Sequence, residues 1–183
     1  EKILERHGIS VTTVDLSEIL GAAGKIGEKD ARLVTKIDEI KAYANATAVP
    51  APKLAQMARL GIVLDDFVAA NHLDATAIQC WTSVQANHGC NVCTSMSMMS
   101  EAFMPSACEV DVTGVLTMYA MQLASSSPSA LVDWNNNYGA ADDKSPNSVQ
   151  LSIVQTAGMT EAVRKGGQSA KTLHDGTKSG MAA

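Results

Sequence analysis

Two acidic residues of this chain lie in apolar sequence, where an ionised carboxylate is costly. Glu109 follows Ala107 and Cys108, and Asp133 ends the apolar run 130–132. Carboxylates in such settings are rarely buried without a cation, a metal ion or a shared proton to compensate them. Two oxygen ligands suit a hard divalent cation such as Mg²⁺ or Mn²⁺, and the same groups suit acid–base chemistry. Because ordinary hydrogen bonding explains many such pairs, the residues alone leave a metal site and a structural contact open.

The elements around the two acids must bring them together. Apolar residues recur at helical spacing from Val112 to about Ala124, and 129–134 has the composition of a strand followed by a polar turn. The acids are 24 residues apart in the sequence. We therefore predict that this helix returns the chain to a neighbouring strand, so that both acids meet at one edge of the sheet.

The upstream sequence predicts an α/β fold, with a parallel-sheet layer flanked by helices. Strands are predicted over Ile9–Asp15 and Ala75–Trp81, and helices over 29–45, 52–72 and 88–102. The three glycines that follow Asp15 are expected to interrupt any helix there. Gln79 and Trp81 fall near the carboxyl end of the second strand, where ligands of such folds bind. These two residues are either part of a binding site or belong to an ordinary core strand.

The four cysteines are Cys80, Cys90, Cys93 and Cys108, and their surroundings are apolar or helical. Such thiols are typical of buried, reduced residues. Cys90 and Cys93 form a C-x-x-C, but a redox or zinc role would need a thioredoxin-like setting or a second ligand pair. We therefore expect the cysteines to serve in packing, with redox chemistry and metal binding as the alternatives.

Composition limits the kind of partner this chain can have. The 183 residues carry a formal net charge of −5 and include no basic run, which argues against a nucleic-acid partner. No apolar run of 18 residues and no signal peptide are visible, so we expect a cytoplasmic protein without a membrane partner. The chain begins with Glu1 rather than Met, and we expect it to be processed or to be a piece of a longer protein.

The central block of the chain resembles the L-fucose isomerase and L-arabinose isomerase-like superfamily. The pieces ACEVDVTG and ALVDWNNNYG carry the resemblance, which covers about 1–144 and is strongest over 77–139. The resemblance implies that Glu109 and Asp133 bind Mn²⁺ and act as the catalytic carboxylates of an aldose–ketose isomerase that works through an ene-diol. It also implies that Gln79 and Trp81 contact the sugar, and that the protein is a homo-oligomer.

The same resemblance divides the chain into three parts. Residues 1–125 would form an α/β domain like the central domain of the family, and 126–144 would begin the C-terminal domain. The tail 145–183 has no match and is expected to be flexible, apart from an amphipathic helix predicted over Val149–Val163. His174, the only histidine in that tail, does not match the family's C-terminal histidine ligand. We therefore expect an incomplete sugar isomerase fold, truncated or altered in frame.

Two other functions are compatible with this departure from the family. One is a non-catalytic remnant that has lost the third metal ligand. The other is a sugar-binding or assembly module that uses Gln79, Trp81 and the Asn135–Asn137 turn.

Overall fold

The computed structural model describes residues 2–80, 82–133 and 152–157, and describes side chains for 2–80 and 82–131. Helices and strands are mixed, and the predicted α/β class is confirmed. The elements follow one another as α1 (Lys2–Arg6), α2 (Leu16–Lys25), α3 (Ala31–Tyr43), α4 (Ala51–Asn71), β1 (Thr76–Ile78), α5 (Ser83–His88), α6 (Cys93–Glu101), β2 (Ser106–Cys108), α7 (Val112–Ser125), β3 (Leu131–Asp133) and β4 (Ser152–Ala157).

The strand predicted over Ile9–Asp15 is wrong, because this segment has no regular secondary structure. No described strand lies beside it, and alternating β-branched residues need a partner for their backbone groups before they form a strand. Asp15 instead begins α2, since its carboxylate accepts a hydrogen bond of 2.8 Å from the backbone N–H of Ser17. The helix then continues to Lys25 through Gly21 and Gly24, which the sequence had predicted to interrupt it.

The next two predicted helices are confirmed as α3 and α4. Asp30 caps α3 by accepting a hydrogen bond of 2.9 Å from the backbone N–H of Arg32. Pro52 lies in the first turn of α4, where its missing N–H has no intrahelical partner to lose. The helix ends at His72, which has a left-handed φ of 50°. Its buried residues make α4 the centre of the larger core.

The single helix predicted over 88–102 is wrong at its beginning, because two helices occupy this region. α5 ends at His88, and Gly89 follows with a φ of 77°, a conformation that a side chain rarely adopts. A Cβ atom at Gly89 would also lie only 2.9 Å from Nζ of Lys53. The second helix, α6, begins at Cys93 and confirms the rest of the prediction.

The strands β1 and β2 form a parallel pair, as predicted for the Ala75–Trp81 strand. Thr76 pairs with Ser106 and Ile78 with Cys108. The connection between them contains α5 and α6, and α7 contacts both strands. This pair is the sheet layer that the sequence predicted, flanked by helices.

The strand predicted around Asp133 is confirmed as β3, but its partner was not foreseen. β3 pairs in antiparallel fashion with β4, with Leu131 opposite Ala157 and Asp133 opposite Ser152. The helix predicted over 149–163 is therefore wrong across 152–157, where a short run of apolar residues fits either period. The prediction that β3 neighbours β2 in one sheet is also wrong for the described residues, since β3 and β4 form a separate sheet.

The parallel pair lies between two groups of buried side chains. Ile78 and Cys108 belong to the larger core, which α2 to α6 surround. Ala77 and Ala107, one position earlier on each strand, belong to a smaller cluster with Val115 of α7. This alternation follows from the two-residue period of a strand. Within the described part of the chain, we find no helix of the length and apolar character that crossing a membrane requires.

Candidate functional site

The candidate site begins at the carboxyl ends of β1 and β2. Because Ile78 pairs with Cys108 in parallel register, the residues that follow them, Gln79 and Glu109, are side by side in the register. Both residues are exposed. The carboxyl end of a parallel pair is where ligands of α/β folds bind, because the strands end there and loops of variable sequence begin. The sequence prediction that Gln79 lies near such an end is confirmed, and Glu109 joins it there.

The turn that contains Glu109 has an unusual backbone. Glu109 and Val110 have φ values of 57° and 54°, in the left-handed region that residues with a Cβ rarely adopt. Two backbone hydrogen bonds hold the turn: Val110 N–H donates to the Ile78 carbonyl at 3.3 Å, and Asp111 N–H donates to the Cys108 carbonyl at 2.9 Å. The first of these bonds joins the Glu109 turn directly to β1. The position of Glu109 is therefore set by both strands.

The residue after this turn starts α7. The carboxylate of Asp111 accepts a hydrogen bond of 2.7 Å from the backbone N–H of Gly114, which makes Asp111 the N-cap. Asp111 thus has a structural role, although it is an acid only two residues from Glu109. Its identity as a cap could have been predicted from the apolar helical pattern that begins at Val112.

The second predicted carboxylate is connected to the same region through α7. Asp133 is the last residue of β3, and its side chain, like that of Trp81, lies outside the described residues. Two positions earlier, Cδ1 of Leu131 lies 3.1 Å from where a Cβ on Gly114 would be. The side chain of Leu131 therefore reaches the first turn of α7, just after the Glu109 turn. The convergence of Glu109 and Asp133 on one ion stays a prediction.

Three cysteine thiols, two of them on residues next to Gln79 and Glu109, hydrogen-bond to one another. Cys80 follows Gln79, and Cys108 precedes Glu109; Cys93 begins α6. The hydrogen bond from Cys108, followed by that from Cys93, lowers the pKa of Cys80, and the backbone N–H of Glu109 acts in the same direction.

The pKa of each of the other two thiols of this trio is raised. The pKa of Cys108 is raised because its thiol hydrogen-bonds to Cys80 and then to Cys93. For Cys93 the hydrogen bond with Cys108 acts to lower the pKa, but the bond to Cys80 and burial outweigh it and raise the pKa. The sequence predicted packing for these residues and gave no signal of their convergence, since that depends on strand register.

The fourth cysteine, Cys90, and the nearby side chains of Lys53 and His88 have structural surroundings. Cys90 is buried apart from the trio, and burial raises its pKa to about 12 against a smaller effect of Lys53. Lys53 donates a hydrogen bond of 2.6 Å to the Gly89 carbonyl, and a ring nitrogen of His88 lies 2.8 Å from the Gln56 carbonyl oxygen. Among the residues that the structure describes, no group of three or more His, Cys, Asp or Glu side chains could hold a metal ion.

The comparisons with known proteins point to sugar isomerases. No protein-family model and no solved structure matches the chain. A sulfoquinovose isomerase of Clostridium sp. (strain MSTE9) is 29% identical over 118 residues, which are 64% of this chain and 26% of that protein. A sulfoquinovose isomerase of Alkalicoccus urumqiensis is 27% identical over 114 residues, which are 62% of this chain and 25% of that protein.

The chain thus spans about a quarter of the length of the curated relatives it matches. The predicted resemblance is supported at the level of sugar isomerases, while the L-fucose and L-arabinose superfamily stays a prediction. Over 64% and 62% of its length, this chain is similar to two sulfoquinovose isomerases.

Proposed function

We propose that this chain carries part of the active site of a metal-dependent aldose–ketose isomerase whose substrate is a small sugar. One structural observation supports the proposal most strongly. Glu109 and Gln79 occupy adjacent positions at the carboxyl end of a parallel strand pair, and the turn that contains Glu109 has a strained backbone. Strained conformations persist where the surrounding structure holds them, and they concentrate at functional sites. The similarity to two sulfoquinovose isomerases supports the choice of reaction class.

The metal in this proposal is Mn²⁺ or another hard divalent cation. Glu109 offers an exposed carboxylate, and oxygen donors of this type are what hard cations prefer. No described group supplies three ligands, so we assign the second carboxylate to Asp133 and leave the third ligand to parts outside the described residues. When bound, such an ion would polarise the sugar oxygens and stabilise the negative charge that develops on them.

The two carboxylates would carry the proton transfer. One removes the proton from C2 of the aldose, which gives an ene-diol, and a proton is returned to C1, which gives the ketose. This assignment requires both side chains within hydrogen-bond reach of neighbouring sugar carbons or their hydroxyls. The side-chain amide of Gln79 and the ring of Trp81 would contact the sugar and hold it in this position.

The test of this function is Mn²⁺-dependent sugar isomerisation by the 183-residue chain. The chain would be stripped of metal by chelation, supplied with Mn²⁺ and incubated with a panel of aldoses that begins with sulfoquinovose. We expect ketose formation that requires Mn²⁺ and falls at least 100-fold in Glu109→Gln and in Asp133→Asn, since each change removes a charged oxygen ligand and a proton carrier.

Asp74→Asn is the matched control. Asp74 is an exposed acid two residues before β1, at the opposite end of the strand from Gln79. Its substitution should leave turnover unchanged. Retained turnover in both site variants would refute the assignment of Glu109 and Asp133, and loss of turnover in Asp74→Asn would show that the assay reports general damage.

A non-catalytic role is the second candidate, and it is favoured because the described residues supply no complete ligand set. Of the ligands proposed above, only Glu109 has a side chain among the described residues. His174, the histidine of the tail, lies outside the described residues. A remnant of the isomerase would bind Mn²⁺ weakly and turn over no sugar. A sugar-binding module would instead show a higher melting temperature with sugar in the absence of metal. The same panel, followed by thermal unfolding, separates these outcomes.

A further inference from the structure

Three of the four cysteines form a thiol cluster, which we define as Cys80, Cys93 and Cys108. They come from three different elements: the end of β1, the start of α6 and the end of β2. Their thiols hydrogen-bond to one another. Cys90 is also buried, but the groups that shift its pKa include no other thiol.

Packing alone does not require this arrangement. A buried cysteine that serves only in packing behaves as a small apolar side chain and needs apolar neighbours, not other thiols. Here the parallel register and the start of α6 bring together residues that are 13 and 15 positions apart in the sequence. Contact between sulfur atoms is the geometry that thiol–disulfide exchange needs.

The exposure of the three thiols differs in a way that orders the chemistry. Cys80 and Cys108 are buried, with 5% and 1% of their surface exposed, whereas Cys93 is only partly buried. By residue exposure, Cys93 is the member of the cluster that is most open to a small reagent. The two buried thiols then lie within reach of whatever forms on Cys93.

We propose that the thiol cluster is a site of reversible oxidation, at which Cys93 forms a disulfide with Cys80 or Cys108 by exchange with a small disulfide such as oxidised glutathione. In the first step Cys93 loses its proton and its sulfur attacks the reagent. The reagent's S–S bond breaks, one glutathione leaves as a thiolate and takes up a proton, and a mixed disulfide remains on Cys93.

In the second step Cys80 or Cys108 loses its proton and attacks the Cys93 sulfur. The mixed disulfide breaks, the second glutathione leaves and is protonated, and the new internal disulfide is complete. Two protein thiols are oxidised, and one glutathione disulfide is reduced to two thiols.

The disulfide would tie the start of α6 to a strand end. Cys80 and Cys108 are the sequence neighbours of Gln79 and Glu109. The disulfide would therefore restrict the motion of the backbone at the edge where Gln79 and Glu109 lie. An effect of oxidation on turnover rests on the proposed function. The formation of the disulfide does not, and the experiment measures it directly.

The test maps disulfides by mass spectrometry after incubation of the 183-residue chain with oxidised glutathione. Cleavage after Trp81 and after Glu101 places Cys80, the Cys90–Cys93 segment and Cys108 on three different peptides. We expect an internal cross-link between the Cys90–Cys93 peptide and one of the other two, with loss of two hydrogen atoms and full reversal by dithiothreitol.

Variants identify the cysteine that forms the cross-link. Cys90→Ser should keep the cross-link and Cys93→Ser should lose it. Circular dichroism would establish that each variant folds. If Cys93→Ser does not fold, because its hydroxyl needs new hydrogen-bond partners, Cys93→Ala replaces it.

Three results would overturn the proposal. They are a disulfide within the Cys90–Cys93 peptide, glutathione retained on Cys93 with no internal bond, and a cross-link that persists in folded Cys93→Ser or Cys93→Ala. None of these outcomes bears on whether the chain isomerises a sugar, so a failure here is distinguishable from a failure of the proposed function.

Discussion

The conformation of the turn after β2 is what distinguishes Glu109 from the other exposed acids. Both Glu109 and Val110 have positive φ, which costs roughly 1–2 kcal/mol for each residue with a Cβ. Val110 is β-branched and 49% exposed, so its side chain gains little by burial to offset that cost. The two backbone hydrogen bonds to Ile78 and Cys108 hold the conformation in place.

A glycine at position 110 should therefore stabilise the fold. We expect Val110→Gly to raise the free energy of unfolding by about 1 kcal/mol, since relief of strain outweighs the greater entropy of glycine in the unfolded chain. Val110→Ala is the control, because it shortens the same exposed side chain but keeps the Cβ, and it should change stability by less than about 0.5 kcal/mol. Urea unfolding measures both, and a destabilised Val110→Gly would contradict the assignment of strain.

The sequence predicted which residues could belong to the site, but it predicted the contacts between them only in part. The location rule for parallel strands placed Gln79 at the carboxyl end of its strand, and Glu109 follows the paired strand there. The thiol cluster was not predictable, because residues 80, 93 and 108 meet only once the strand register is known. The positive φ at Val110 was not predictable either, because a β-branched residue rarely adopts that conformation.

At the scale of elements, the helices with a cap and a clear apolar face were predictable. α3, α4 and α7 agree with the predicted spans because the start signal, which is a capping Asp in α3 and α7 and Pro52 in α4, agrees with the periodicity. The predictions failed where a tertiary contact decided the outcome. Gly89, which lies close to Lys53, ends α5 inside the region where one helix was predicted over 88–102. The segment Ile9–Asp15 has no strand to pair with among the described residues.

A substitution at Gly114, in the first turn of α7, tests how closely Leu131 of β3 packs against this helix. A Cβ at Gly114 would be 2.7 Å from Cγ of Asp111 and 3.1 Å from Cδ1 of Leu131. We expect Gly114→Ala to lower the free energy of unfolding by about 1–3 kcal/mol, because the cap and the strand must both move.

The matched control for this change is Gly24→Ala in α2. Gly24 is also helical, and nothing lies within 4 Å of where its Cβ would be. The added methyl group should raise stability by about 0.5–1 kcal/mol through helix propensity alone. Urea midpoints of the two variants should therefore move in opposite directions. A stabilised Gly114→Ala would mean that the cap and Leu131 are farther from this position than the structure has them.

At the scale of the whole molecule, the described part of the chain is a helical core with a short parallel strand pair packed between it and α7. The larger cluster lies among α2 to α6, and only a few residues form the smaller one between β2 and α7. As a result α7 covers the sheet with one side and exposes apolar residues on the other, including Leu116, Met121 and Leu123. A helix without any charged residue is usually covered on most of its surface. The predicted homo-oligomer would cover this face, and that assembly stays a prediction.

The same substitution at a buried and an exposed leucine tests how α7 is covered in solution. Leu60 of α4 is 1% exposed and Leu123 of α7 is 65% exposed. We expect Leu60→Ala to lower the free energy of unfolding by about 2–5 kcal/mol through lost burial and the cavity left behind. Leu123→Ala should change it by about 0.5 kcal/mol or less if water reaches this side chain. Thermal unfolding at several protein concentrations measures both, and a large loss in Leu123→Ala would contradict the exposure of α7. If that loss also grew with protein concentration, a second copy of the chain would be what covers the helix.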